Sequence, residues 1–257
     1  MRTRGYIIYA VAAYLVFLVG TFPASKAYRL ITKRAGENTK SLELAGIEGP
    51  WWSATATQAR IGPLEFTNAG WRLQPLLLLI GNVVLQVHAS KADEGYIKSR
   101  VAFGFGKVSL KKTEMSLPLS ILDPLGGPFG VRLDGMISSS INKIILRDGY
   151  PVMADGVIIL NNMQILSPQQ LRLGDFKVVM VTEEKTVRLT FVDSGGPLKA
   201  EGVLQLNADG GYDFSGTFLA QDQTQPTLAD YISLMGKPDD NGQVTVSMSG
   251  KLPRMNI

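Results

Sequence analysis

Gly202-Val203-Leu204-Gln205-Leu206-Asn207-Ala208-Asp209-Gly210-Gly211-Tyr212-Asp213-Phe214-Ser215-Gly216-Thr217-Phe218 reads as a β-hairpin. Two alternating stretches flank Asp-Gly-Gly, whose residues supply the positive φ a tight turn between strands requires. The same period-two texture recurs on both sides. Val83–His88, Lys177–Val181 and Val187–Val192 are strand-like, and Gln243–Ser249 alternates apolar and polar residues, so one face is buried and one is not. Helical signals are few. Thr227–Met235 is the clearest, with Thr227 and Asp230 in a capping-box arrangement and Gly236-Lys237-Pro238 as its stop; short helices are expected after Pro75 and Pro118. Strands punctuated by turns, with little helix, predict a mainly β fold: a large, twisted, mostly antiparallel sheet rather than βαβ repeats.

The N-terminus is different. Gly5 to Phe22, GYIIYAVAAYLVFLVGTF, carries no charge. As a helix it would be about 27 Å long, enough to cross a hydrocarbon core. Tyr6, Tyr9 and Tyr28 suit interfacial positions. A cleaved signal peptide competes, because Arg2 and Arg4 form a basic start and Ser25-Lys26-Ala27 a small-x-small site, but the apolar stretch exceeds the usual signal core and favours an anchor. The expected organisation is therefore a tail at 1–4, a transmembrane helix at 5–22, a juxtamembrane helix and linker at 23–40, and a β-rich domain at 41–257.

Charge restricts the function classes. The chain has formal charge +4, but Arg2, Arg4, Lys26, Arg29, Lys33 and Arg34 precede any acid, leaving 20 of the 26 bases against all 22 acids. A slightly acidic domain lacks the electrostatic footprint that nucleic-acid binding needs. With no Cys, disulfides, thiolate ligands and cysteine nucleophiles are excluded. His88 is the single histidine; it lies in an alternating strand with no nucleophile elbow, and alone it cannot make a zinc site. Gly104-Phe105-Gly106-Lys107 precedes a strand-like stretch and is read as a turn, not a phosphate loop. Asp209–Gly211 and Asp239–Gly242 are read as hairpin turns rather than calcium loops, and the adjacent carboxylates Asp93-Glu94 and Glu183-Glu184 as solvated turns. No catalytic, cofactor or metal residue is assigned.

The remaining candidates are apolar. Trp51, Trp52, Trp71 and the run Leu76-Leu77-Leu78-Leu79 form either an apolar groove for a partner strand or lipid, or the packing core of the sheet. Gly195, Gly196, Pro197, Gly210 and Gly211 are the expected structural turns. A valine at Gly196 should destabilise the domain if that residue has positive φ.

Gly49-Pro50-Trp51-Trp52-Ser53, Trp71-Arg72-Leu73-Gln74-Pro75 with its leucines, Asp193-Ser194-Gly195-Gly196-Pro197-Leu198, and Leu234-Met235-Gly236 followed by Asp240-Asn241-Gly242 occur in an order that resembles the N component of the bacterial type II (general) secretion pathway. The resemblance covers nearly the whole chain. It departs at Ala54-Thr55, where the family's tryptophan phrase usually ends in a Ser-Gly type of turn. It implies a single-pass inner-membrane protein with its large domain in the periplasm and no enzymatic site. It also implies an accessory role beside other inner-membrane platform components, with the secretin as a further candidate partner. The charge count around the apolar run, taken alone, would place the domain in the cytoplasm. The alternative reading is an AsmA-like envelope protein sheltering lipid in a curved sheet.

Overall fold

The computed structural model describes residues 2–35, 42–62, 64–78, 81–91, 94–104, 106–125, 131–167, 169–221 and 226–253. The chain forms two compact units, Met1–Ala92 and Asp93–Ile257. The linker glycine and asparagine at positions 36 and 38, together with Leu79, Asp93 and Phe105, lie outside the described residues.

The first unit opens with α1 (Arg2–Gly20) and α2 (Ala24–Ala35), followed by β1 (Leu42–Glu48), β2 (Ser53–Ile61), β3 (Leu64–Leu73), the single turn α3 (Pro75–Leu78) and β4 (Val83–Ser90). Among the described residues, no helix is long and apolar enough to cross a membrane; the side chains of Ile7, Ile8, Leu15 and Val16 in α1 lie outside that description. The four strands pair antiparallel in chain order, with Ile47 opposite Ala56, Ile61 opposite Leu64 and Trp71 opposite Val87. Ala54, Ala56, Ala59, Phe66 and Leu73 are buried. Burial alternates only over part of each strand: the buried parity changes between Ala56 and Ala59 in β2 and between Phe66 and Leu73 in β3, where Asn68 has φ 50° and the register shifts between Thr67 and Gly70.

The second unit runs β5 (Tyr96–Gly104), β6 (Lys107–Pro118), a 3₁₀ helix (Leu119–Leu125), β7 (Arg132–Arg147), β8 (Tyr150–Ser167), β9 (Leu171–Glu183), β10 (Thr186–Gly195), β11 (Leu198–Asn207), β12 (Gly211–Ala220), α4 (Pro226–Ser233) and β13 (Val244–Lys251). Each pair of consecutive strands is antiparallel. Tight turns permit this meander, since antiparallel neighbours need only two connecting residues. Asp148 (φ 51°) and Gly149 (φ 83°) join the two longest strands. Glu184 (φ 53°) turns β9 into β10, so the paired glutamates do mark a turn. Gly106 (φ 69°) turns β5 into β6, leaving Val108-Ser109-Leu110 on a strand without a helix to receive phosphate.

The hairpin of Gly202–Phe218 is β11–β12, with Gly210 at φ 88°; Gly211 does not need a positive φ. Register shifts interrupt β7–β8 four times and recur in β8–β9 and β9–β10. Such bulges bend a strand and increase its local twist.

Two apolar clusters line this sheet. One gathers Leu171, Leu173, Phe176, Ala200 and Val244 beneath Leu228 and Ile232 of α4. The other is Ala154, Met180, Val187 and Leu206. Leu228 and Ile232 are four residues apart and therefore share a helix face. Phe191 lies over the cross-strand glycines Gly202 and Gly216, where a Cβ on Gly202 would come within 2.5 Å of its ring. Phe214 and Phe218 flank it, with centroids 5.9 and 6.1 Å away.

Two local expectations change. Thr227 is not the N-cap of α4: the helix starts at Pro226, whose fixed φ suits a first helical position, and Thr227 follows inside the first turn. Asp239–Gly242 is a turn but not a hairpin loop, since it connects α4 to β13. The Asp239 carboxylate accepts the amides of Asn241 (2.9 Å) and Gln243 (2.8 Å), holding the turn as the chain enters the strand.

Candidate functional site

The tryptophan phrase meets the end of α1. A helix leaves its last carbonyls without intrahelical donors, and α1 has no basic side chain in its last turn to supply them. The donors come from the β1–β2 connection. The Trp51 indole N–H donates to the Val19 carbonyl at 2.7 Å, and the Trp52 indole N–H to that of Gly20 at 2.8 Å.

Backbone contacts extend this junction. The Trp51 amide donates to the Phe22 carbonyl and the Ala24 amide to the Gly49 carbonyl, both at 2.9 Å, making a small antiparallel bridge at Pro23 and Pro50. Gly49 has φ 103°, and a Cβ there would stand 2.6 Å from the Ser53 carbonyl oxygen; only glycine fits the turn. On β3, the Trp71 indole donates to the Trp51 carbonyl at 3.0 Å, and the Leu73 amide donates to the Trp52 carbonyl at 2.6 Å.

All three tryptophans are thus brought together, each half-buried and each with its N–H spent on a main-chain carbonyl. Leu76, Leu77 and Leu78 fall on α3, where no residue is buried and Leu76 is 78% exposed. Their residue types alone pointed to apolar packing; the donor role depends on where a helix stops. Replacing both Trp51 and Trp52 by Phe keeps aromatic bulk but removes two hydrogen bonds. The expected cost is about 1–3 kcal/mol, with faster exchange of the Ala24 amide and of the backbone amide at position 51 as the specific signature.

α2 is held by one side. Tyr28 Oη donates to the Leu42 carbonyl at 2.9 Å and accepts the Leu44 amide at 3.2 Å, covering part of β1. Such cover protects main-chain groups that an edge strand would otherwise offer to other chains.

A second constellation surrounds the glycine phrase. Gly195 and Gly196 both have φ 134°, and a Cβ on Gly196 would come 2.5 Å from Gly174 Cα. The register shifts between Asp193 and Gly195, and Gly196, the first residue past β10, lies backbone to backbone against Gly174 of β9. Beside it is an open cleft of about 520 Å³, lined by Asn162, Arg172, Asp175, Pro197 and Gln221 among others. Asp175 accepts the Asn162 amide at 2.6 Å, so its carboxylate orders the adjacent bulge.

The remaining candidates have structural surroundings. His88 pairs across the ladder with Gly70, where a Cβ would meet its imidazole at 2.4 Å, so the ring packs over that glycine. Arg60, on an exposed face, is held above the ordinary guanidinium pKa by hydrogen bonding to Glu65, then by attraction to Glu65 and Glu43. Among the described residues, no group of three or more His, Cys, Asp or Glu is placed to hold a metal ion.

These features define a class: a helix-led antiparallel sheet protein in which the singled-out tryptophans and glycines bind or admit main chain. The family model described as "Type II secretion system (T2SS), protein N" matches residues 40–247. The chain belongs to that family. A curated relative, "Type II secretion system protein N" of Vibrio cholerae serotype O1 (strain ATCC 39315 / El Tor Inaba N16961), is 23% identical over 217 residues, covering 83% of this chain and 86% of its own. No solved structure matches the chain.

Proposed function

We propose that this chain is a non-catalytic accessory subunit of a bacterial type II secretion machine, anchored in the inner membrane by α1 and acting through β-domain contacts in the periplasm. Family membership supports the assignment to the machine. Support for the anchor comes from the uncharged run at Gly5–Phe22 and from the outward exposure of Tyr9, Val11, Tyr14, Phe17, Leu18 and Val19. A helix apolar around its circumference needs a nonpolar medium. The periplasmic side follows from the resemblance and runs against the local charge count. In spheroplasts, external protease should degrade the β-domain; its protection would place the domain in the cytoplasm.

The observation that carries the contact reading is β13. It pairs with β12, its residues from Ser247 to Lys251 are exposed, and among the described residues no strand pairs with its other edge. An unpaired edge offers main-chain donors and acceptors to a partner strand. Partners are then other inner-membrane platform components, with the secretin as a further candidate. Because the chain has no native Cys, single cysteines at Thr245, Ser247 and Ser249 can each be crosslinked in secreting cells. Adducts to a secretion component are expected from this face and not from cysteines on α3. Absence of adducts at all three positions would remove edge pairing.

A lipid shelter of the AsmA-like kind has less support. α4 already seats Leu228 and Ile232 on the apolar face of β9, β11 and β13, and the cleft at Asp175 has polar and charged residues in its lining.

A further inference from the structure

α2 presents two unlike sides. One packs inward: Ala24 is 1% exposed, and Tyr28 is fixed to Leu42 and Leu44 through its hydroxyl. The flank beside it is open. Leu30 is 54% and Ile31 60% exposed, and with Ala27 they have the i, i+3, i+4 spacing of one helix stripe, which borders the inward face because Ile31 is three residues after Tyr28 and seven after Ala24. Lys26, Arg29 and Lys33 are also exposed and, at i, i+3 and i+7, form the adjoining stripe. No acid occurs anywhere in the ASKAYRLITKRA of this helix. Two large apolar side chains turned to water beside a row of cations constitute a surface that water alone does not stabilise.

We propose that α2 lies flat in a membrane interface and binds the anionic phospholipid headgroup layer, Leu30 and Ile31 entering the acyl boundary while Lys26, Arg29 and Lys33 meet phosphate groups. This rests on α1 being the membrane anchor. Charge complementarity selects the occupant: a row of cations without acids fits an anionic lipid surface, and the apolar stripe beside it fits the shallow insertion of interfacial helices. Continuity with α1 places the surface within reach, because only Thr21, Phe22 and Pro23 separate the helices and the Pro23–Pro50 bridge fixes that connection. The Tyr28 contacts hold the inward face on β1, leaving the Leu30 flank and the cationic stripe open to the bilayer, with Ile31 exposed at the margin.

The test uses the full chain, in which any introduced cysteine is unique. Leu30→Cys and, separately, Tyr14→Cys are labelled with an environment-sensitive fluorophore and reconstituted in vesicles of phosphatidylcholine alone or mixed with phosphatidylglycerol. At position 14 the label should be dry in both. At position 30 it should become dry, and be quenched by lipid-borne spin labels near the headgroups, only with phosphatidylglycerol.

Each cation near an anionic leaflet favours docking about fivefold, so Lys26→Gln/Arg29→Gln/Lys33→Gln should lower the docked-to-undocked ratio roughly a hundredfold. Circular dichroism on the same samples confirms that the sheet is intact. A position-30 label that stays wet while position 14 is dry overturns the interfacial helix and leaves the anchor standing. Equal burial at position 30 in both vesicle types overturns the anionic-lipid assignment. Wet labels at both positions overturn the anchor and this inference with it.

Discussion

Gly196→Val should be among the most damaging single substitutions in the second unit, lowering stability by about 3–5 kcal/mol. Two independent causes act there. A φ of 134° is a region that L side chains rarely adopt, and the added Cβ would stand 2.5 Å from Gly174 Cα and 3.0 Å from the Leu173 carbonyl oxygen. Those neighbours are backbone on β9, and backbone in a paired strand cannot rotate aside as a side chain would.

Gly195→Ala separates the causes. Gly195 has the same φ, but nothing lies within 4 Å of an added Cβ, so only strain remains, roughly 1–3 kcal/mol. Equilibrium denaturation of the full chain, followed by the strand signal in circular dichroism, ranks the two variants. Equal losses would show that the close approach to Gly174 contributes nothing.

Leu228→Ala should cost about 2–5 kcal/mol, the range for emptying a buried leucine site. Leu228 is 2% exposed and joins α4 to Leu171, Phe176, Ala200 and Val244 in one cluster. Its companion Ile232 projects from the same helix face, so the cavity would open between the helix and the sheet. Leu234→Ala is the matched control. That side chain is 82% exposed, just past the end of α4, and its truncation should change stability by no more than about 0.5 kcal/mol. If the two variants melt together, α4 does not seal this part of the core.

Local chemistry made part of the fold legible. Asp209-Gly210-Gly211 between alternating stretches marks β11 and β12, because the positive φ of a tight turn is a property of two or three residues. The helix at Pro75 was legible for a similar reason, proline being compatible with a first helical position, while the 3₁₀ helix begins directly after Pro118, which ends β6. The longest pair, β7 and β8, was not. Gly135 and Gly156 sit at bulges with φ 116° and 155°, and each register shift resets the alternation that would announce a strand. The Asp148-Gly149 turn between them was nonetheless a usable signal.

The tryptophans show a different limit. Their residue type suggests apolar packing, and each is half-buried. Their indole donors matter because α1 ends at Gly20 and because Gly49 turns the chain back onto it. Neither fact resides in the tryptophans. His88 is similar: its cover over Gly70 follows from cross-strand register, which no single strand encodes.

The bonds joining Val19, Gly20, Phe22 and Ala24 to the 49–52 turn carry a mechanical consequence. A three-residue connection left free would let the first sheet swivel and sample many directions. Here two indoles and a two-proline bridge act as a weld, so rotation of α1 about its own axis becomes rotation of β1–β4. Whatever docks on that sheet meets a surface of fixed bearing, and much of the orientational entropy that association normally forfeits has already been surrendered in folding.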